Sequence, residues 1–164
     1  MPDNYHLRRT EKAIESRDEM LGIIASRPHM TLAMCSEMGP YLVTLNHAFD
    51  RDRMCVYFHC AGEGRKVDCI RFDPNVWGQV MEDLGYIDGE CDWGYRTVHF
   101  WGKAEFVSDI DEKRHALGLL IAKLEQDVED AKEKHITESG LSKVLIGKVA
   151  LVGFTGKQRL LGGK

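Results

Sequence analysis

The apolar residues change their period soon after the N-terminus. Ser16-Arg17-Asp18-Glu19 has the spacing of a capping box, and Met20, Leu21, Ile23 and Ile24 follow at helical intervals. A short amphipathic helix ending near Arg27-Pro28 is predicted. Residues 31–38 and 41–49 are then runs rich in apolar and β-branched side chains, divided by Gly39-Pro40. Asp50-Arg51-Asp52-Arg53 reads as a turn before a third strand over 54–60. Strands joined by such short turns are expected to lie side by side, as an antiparallel meander.

A helical spacing returns over 65–72, with Val67, Ile70 and Cys69 facing inward, until Asp73-Pro74 stops it. Residues 75–81 are expected to form a fourth strand, 82–94 a polar loop, and 95–107 a long strand. In that strand Val98, Phe100, Gly102, Ala104 and Phe106 share one face, and Gly102 implies a bulge or a close backbone approach. Asp109, Asp111 and Glu112 open a second helix with the apolar stripe Leu117, Leu120, Ile121 and Leu124. Residues 125–142 read as a solvated helix and a loop, and 144–154 as a last strand. The βαβ alternation of a doubly wound sheet is missing, as is any GxGxxG motif. The pattern is mainly β: a closed or nearly closed antiparallel barrel with peripheral helices, in one domain spanning residues 1–164.

Composition narrows the partners. A formal net charge of -4 disfavours general nucleic-acid binding, although a local cluster of cations can still hold an anionic cofactor. No apolar run has the length of a membrane span, and Met1-Pro2-Asp3-Asn4-Tyr5-His6 lacks the apolar stretch of a signal peptide. A cytoplasmic location is expected. Cys35, Cys55, Cys60, Cys69 and Cys91 have neither disulfide nor zinc spacing, so all five are expected to be small buried hydrophobes. No metal site is expected: His29, His47, His99 and His115 show no ligand spacing.

The most informative segment is Tyr57-Phe58-His59-Cys60-Ala61-Gly62-Glu63-Gly64-Arg65-Lys66. Its glycines let the backbone turn tightly and gather N–H groups, while Arg65 and Lys66 stand where the dipole of the next helix favours an anion. A guanidinium fork and an ammonium point charge suit a phosphate monoester. Basic glycine turns also occur as solvated surface turns, and from these residues alone both readings stand.

This run, with Asp68, Ile70 and Asp73-Pro74-Asn75-Val76 behind it, resembles the pyridoxamine 5'-phosphate oxidase-like flavoproteins, and among them the nitroimidazole-resistance branch. Gly39-Pro40-Tyr41, Leu45-Asn46, Asp50, Tyr95-Arg96-Thr97-Val98 and Gly102-Lys103-Ala104 support the resemblance in the same order. It implies an antiparallel split β-barrel of the FMN-binding type, a homodimer, and one flavin at each end of the dimer interface. Carried over by position, Val43, Thr44, Leu45 and Asn46 would run past the isoalloxazine ring. His59, Cys60 and Ala61 would lie near the ribityl chain and phosphate. Gly64, Arg65 and Lys66 would hold the phosphate, and Tyr95, Arg96, Thr97 and Val98 would complete the pocket, from the neighbouring subunit in one arrangement. Each has a plainer reading as a core, surface or alternating strand residue.

His59 is the candidate for chemistry, with an imidazole that titrates near neutral pH, and contact with the cofactor is favoured over acid–base work. The implied function is an FMN-dependent oxidoreductase reducing a small acceptor, nitroaromatic or quinone-like. Alternatives on the same barrel are a flavin-binding protein without turnover, a haem protein using His59 or His99, and a deazaflavin reductase. Oxidation of pyridoxamine phosphate itself is disfavoured, because no second phosphate cluster is present in the sequence.

Overall fold

The computed structural model describes residues 7–161. Eight strands form one antiparallel sheet: β1 (Ala13–Ile14), β2 (His29–Ser36), β3 (Gly39–Asn46), β4 (Ala48–Asp50), β5 (Cys55–Cys60), β6 (Asn75–Ile87), β7 (Asp92–Phe106) and β8 (Leu145–Arg159). The helices are α1 (Arg17–Ser26), α2 (Arg65–Phe72), α3 (Ile110–Leu124), α4 (Val128–His135) and α5 (Glu138–Lys143). The strand order is β3-β2-β6-β7-β8-β5-β4, with β1 paired to β8, which is the split β-barrel.

The capping box closes as its spacing requires: Ser16 accepts a hydrogen bond from the Glu19 N–H at 3.2 Å. Met20, Leu21, Ile23 and Ile24 of α1 and Cys69 and Ile70 of α2 join the barrel interior, beside Leu32, Phe58, Val80, Val98 and Phe100. Three aromatic rings set the register. Phe100 pairs across the sheet with Gly78, Phe58 with Gly147 and Trp101 with Gly153. A Cβ at those glycines would stand 2.0, 2.1 and 2.3 Å from the ring atoms, so each ring lies on bare backbone. At Gly102 a Cβ would meet the Ala150 carbonyl oxygen at 1.8 Å, and the register shifts there, giving both the bulge and the close approach expected from the sequence.

Several sequence expectations need correction. The run over 41–49 is two strands, not one, because His47 turns inward and is fully buried. Its N–H bonds to the Pro28 carbonyl, and its Nε2 is 2.8 Å from the Ile24 carbonyl, which makes Nε2 the protonated nitrogen. Burial lowers the His47 pKa to about 4, with the nearby Lys123 acting in the same direction, so the ring is neutral at neutral pH. The meander holds only in part: β2 pairs with β3, but β5 pairs with β4 and β8 and not with β3. The region expected as a loop over 82–94 is the distal half of a long hairpin, paired to Ile87–Asp92. The charged stretch after α3 forms two short helices, and the last strand runs on to Arg159. Cys35 and Cys91 are exposed rather than buried, while Cys55 and Cys69 are buried and Cys60 half-buried. Residues 1–6, expected not to be a signal peptide, lie outside the described residues.

A polar clamp fastens α3 to the barrel. The buried Tyr57 hydroxyl donates to Glu112 Oε1 at 2.7 Å and accepts from Arg53 at 3.2 Å, while Lys148 reaches the same carboxylate at 3.1 Å. The hydrogen bond from Tyr57 is the largest influence holding Glu112 below the usual glutamate range, with Lys148 acting in the same direction. A depressed carboxylate contributes stability that is complete above its unfolded pKa and lost as pH falls through its folded one.

Two tests follow from this packing. Gly78→Ala should cost about 2–3 kcal/mol in urea denaturation, and Gly78→Ala/Phe100→Leu should cost less than the sum of the single changes. Tyr57→Phe should lower stability by about 1–2 kcal/mol at neutral pH. That gap should narrow as pH falls from the ordinary glutamate range through the lower folded pKa of Glu112, and a gap constant with pH would contradict the clamp.

Candidate flavin-phosphate site

The site begins where β5 ends. Its alternation sends Val56, Phe58 and Cys60 to the barrel interior and Cys55, Tyr57 and His59 to the side of α3. The chain then turns through Ala61, Gly62 and Glu63 to Gly64, the residue preceding α2. Gly64 has φ +119°, a conformation open to glycine and costly for other residues. Its carbonyl accepts from Val67 and Asp68 at 2.8 and 3.1 Å, and having no side chain it cannot cap the N–H groups before them. Those N–H groups and the helix dipole face outward beside two cations.

Arg65 and Lys66 are held by aromatic faces rather than by acids. The Arg65 guanidinium lies 4.7 Å from the centre of the Tyr41 ring, and Lys66 Nζ 5.8 Å from that of Phe58. Neither forms an ion pair with a carboxylate among the described residues. Elsewhere arginines are neutralised: Arg96 reaches Glu19 at 2.6 Å and Glu82 at 3.1 Å, and Arg51 reaches Asp18 at 2.8 Å. The turn thus combines uncapped N–H groups with cations that lack anions. Tyr41 and Phe58 as their seats were not singled out in the sequence, where nothing local links Tyr41 to Arg65.

The remaining candidates divide. On β3, Val43 and Leu45 pack against the barrel core, while Thr44 and Asn46 are exposed on its outer side. Thr44 shares a 3.2 Å hydrogen bond with Thr31. Cys60 is half-buried, and desolvation raises its thiol pKa, with Lys66 pulling weakly the other way. Ala61 is exposed in the turn. His59 is exposed and lines a cavity under α3.

Residues 95–98 sit on β7, which β6 and β2 separate from β3. Val98 is fully buried inside the barrel, and Arg96 ties β7 to β6 through Glu82 and to α1 through Glu19. Thr97 donates to the Val80 carbonyl at 3.2 Å and accepts from Gln79. Tyr95 lies under Lys157, 5.9 Å from its ring centre. Within one chain this group therefore does not meet the basic turn.

A family model described as Pyridoxamine 5'-phosphate oxidase matches residues 16–158. The chain belongs to that family. Among solved structures, a 5-nitroimidazole antibiotic resistance protein from Bacteroides thetaiotaomicron VPI-5482, so described, is similar with TM-score 0.73 and 25% identity. That match covers 89% of this chain and 86% of the other. The FAD and heme binding protein from Mycobacterium smegmatis shares the fold with TM-score 0.73 and 16% identity, over 93% of this chain and 74% of that one. An uncharacterized protein of Rhizobium meliloti (strain 1021), RA0666, is 30% identical over 69 residues. The match spans 42% of this chain and less than half, 44%, of that protein.

Replacing Gly64 by Ala should strain the turn by about 1–3 kcal/mol and weaken phosphate binding, measured as FMN affinity against urea stability. Unchanged FMN affinity in a folded Gly64→Ala variant would remove the turn from the site.

Proposed function

We propose that the protein is a flavoprotein oxidoreductase that holds FMN by its 5'-phosphate on the basic turn and reduces a small nitroaromatic or quinone-like acceptor. The observation that carries this reading is the pair Arg65 and Lys66, oriented by aromatic rings at an uncapped helix start and lacking carboxylate partners. Membership of the family and the flavin named in the Mycobacterium smegmatis protein's description support it.

The residues present fit such a cofactor. Arg65 would supply a fork of donors, Lys66 a point charge, and the first-turn N–H groups the remaining bonds to a dianionic phosphate. Thr44 and Asn46 offer hydrogen-bonding side chains on the outer side of β3, where the ring's polar edge would pass. When bound, the flavin supplies the hydride chemistry at its N5. The chain's part is then to fix the ring, tune its charge and limit water. In this reading His59 contacts the cofactor, and no acid–base step need be assigned to it.

A homodimer belongs to the same reading. The stacked pair Trp77 and Trp101, with ring centres 4.9 Å apart, lies on the outer face of the sheet near the exposed Leu42, Met81 and Val152. A second copy seated on this face would bring residues 95–98 towards the partner's β3, which one chain cannot do. A cytoplasmic location agrees with five cysteines that form no disulfide. No helix among the described residues is long and apolar enough to cross a membrane.

Arg65→Ala/Lys66→Ala should lower FMN affinity by about a hundredfold or more in fluorescence titration, the loss of charge-assisted bonds worth about 1.5–3 kcal/mol each, with the fold retained. Equal affinity in a folded double variant would contradict the assignment. A red protein with a Soret band would replace flavin by haem. Light scattering should give a dimer for the native chain and a monomer for Trp77→Glu.

A further inference from the structure

Beneath α3 lies a cavity of about 280 Å³ that the basic turn does not use. It opens at the seam between two small apolar clusters. Leu120, Leu124 and Val144 belong to the cluster that packs α3 on β5, whereas Leu117 and Ile121 belong to the one that packs α3 on α4 and α5. All five line the cavity. The polar residues of the lining, His59, Glu125 and His135, are exposed and mark its rim. Leu117, Leu120 and Ile121 are only 9, 2 and 5% exposed and form its floor.

The elements around this space are fastened, so it is not slack between loose helices. Lys113 of α3 donates from Nζ to the Leu141 and Val144 carbonyls at 3.3 and 3.2 Å, which ties α5 to α3. Leu141 is fully buried in the cluster it shares with Leu117 and Ile121. Thr137 caps α5, its hydroxyl oxygen accepting from the Gly140 N–H at 3.0 Å. Gly140 lies so close to the end of α4 that a Cβ there would stand 2.3 Å from the His135 carbonyl oxygen. The chain therefore packs tightly on both sides of the seam and leaves the seam itself open.

The walls set the class of ligand. Below the rim no lining side chain carries a donor or an acceptor, so an ion entering the cavity would lose its hydration without replacement. The space is also too small to seat a helix or strand of another protein, whose interface would cover on the order of 1,000 Å². A dry cavity of about 150 Å³ lined by such side chains takes one benzene ring. This one is nearly twice that size, with room for two fused or linked rings. We propose that the α3 cavity is a binding site for an uncharged, largely hydrocarbon molecule of two-ring size. Burial of its apolar surface against leucine drives binding, and a polar substituent would point to the rim. The site requires nothing of the flavin reading, because none of the residues that form or seat the basic pair lines the cavity.

The test titrates the full chain with N-phenyl-1-naphthylamine, a neutral probe that fluoresces in apolar surroundings. The native protein should bind it saturably, one probe per chain. Naphthalene should displace the probe, and 2-naphthoate, similar in size but charged, should not. Leu124 is the half-buried last residue of α3, so it can be changed without opening the core. Leu124→Trp fills the space, and Leu124→Gln keeps the volume while making one wall polar. Each should weaken the probe by about tenfold or more with cooperative unfolding retained, and added FMN should leave the bound probe in place. Absence of saturable binding, or native affinity in either folded variant, would overturn the proposal. Displacement by 2-naphthoate as readily as by naphthalene would overturn the uncharged class, and one-for-one displacement by FMN would overturn the separate site.

Discussion

Phe100 on Gly78, Phe58 on Gly147 and Trp101 on Gly153 are the contacts on which the barrel depends. Each ring occupies the space of a side chain its partner lacks, so a slip of one residue in any of these ladders would drive the ring into a Cβ. Fixing these registers decides which residues of β5 enter the barrel and which face α3. Phe58 goes in, and its ring becomes a seat for Lys66. Tyr57 and His59 go out, the one to clamp α3 and the other to line the cavity beneath it. The chemistry at the end of β5 is thus a consequence of packing in its middle.

Charge is distributed by the same geometry. Glu112 lies at the start of α3, where it gathers Tyr57, Arg53 and Lys148, and Arg96 joins two strands to α1. These contacts hold elements together. Arg65 and Lys66 hold nothing comparable. Their aromatic seats orient them at modest energetic gain while leaving the positive charge unneutralised, which is the condition for capturing an anion. A carboxylate in the same place would have stabilised the free protein and weakened the site.

Much of this was legible in the sequence because its causes are local. The capping box at Ser16, the inward face of β7 and the helix after Gly64 follow from spacing and turn chemistry, and each stands where its residues require. What was not legible depended on contacts remote in sequence. His47 ends β3 because its ring turns inward to donate to the Ile24 carbonyl, which alternation cannot reveal. The hairpin beyond Met81 is polar and glycine-containing, yet Asp83 bonds Trp93 and Tyr86 packs on the same ring, so side chains sustain strands that composition disfavours. The pairing of β5 with β8 rather than β3 is a choice among distant partners. For the site, glycines and cations announced the turn, whereas the seats of Arg65 and Lys66 and the cavity beside His59 exist only in the folded chain.

In the proposed site, ligand recognition runs through a phosphate on the turn before α2. Riboflavin and FMN differ by that phosphate alone, so their affinities for the native chain, measured by fluorescence quenching in one buffer, isolate it. FMN should bind about a hundredfold or more tightly than riboflavin, and the difference should shrink with added salt. Equal binding of the two, at any ionic strength, would show that the turn does not hold a phosphate.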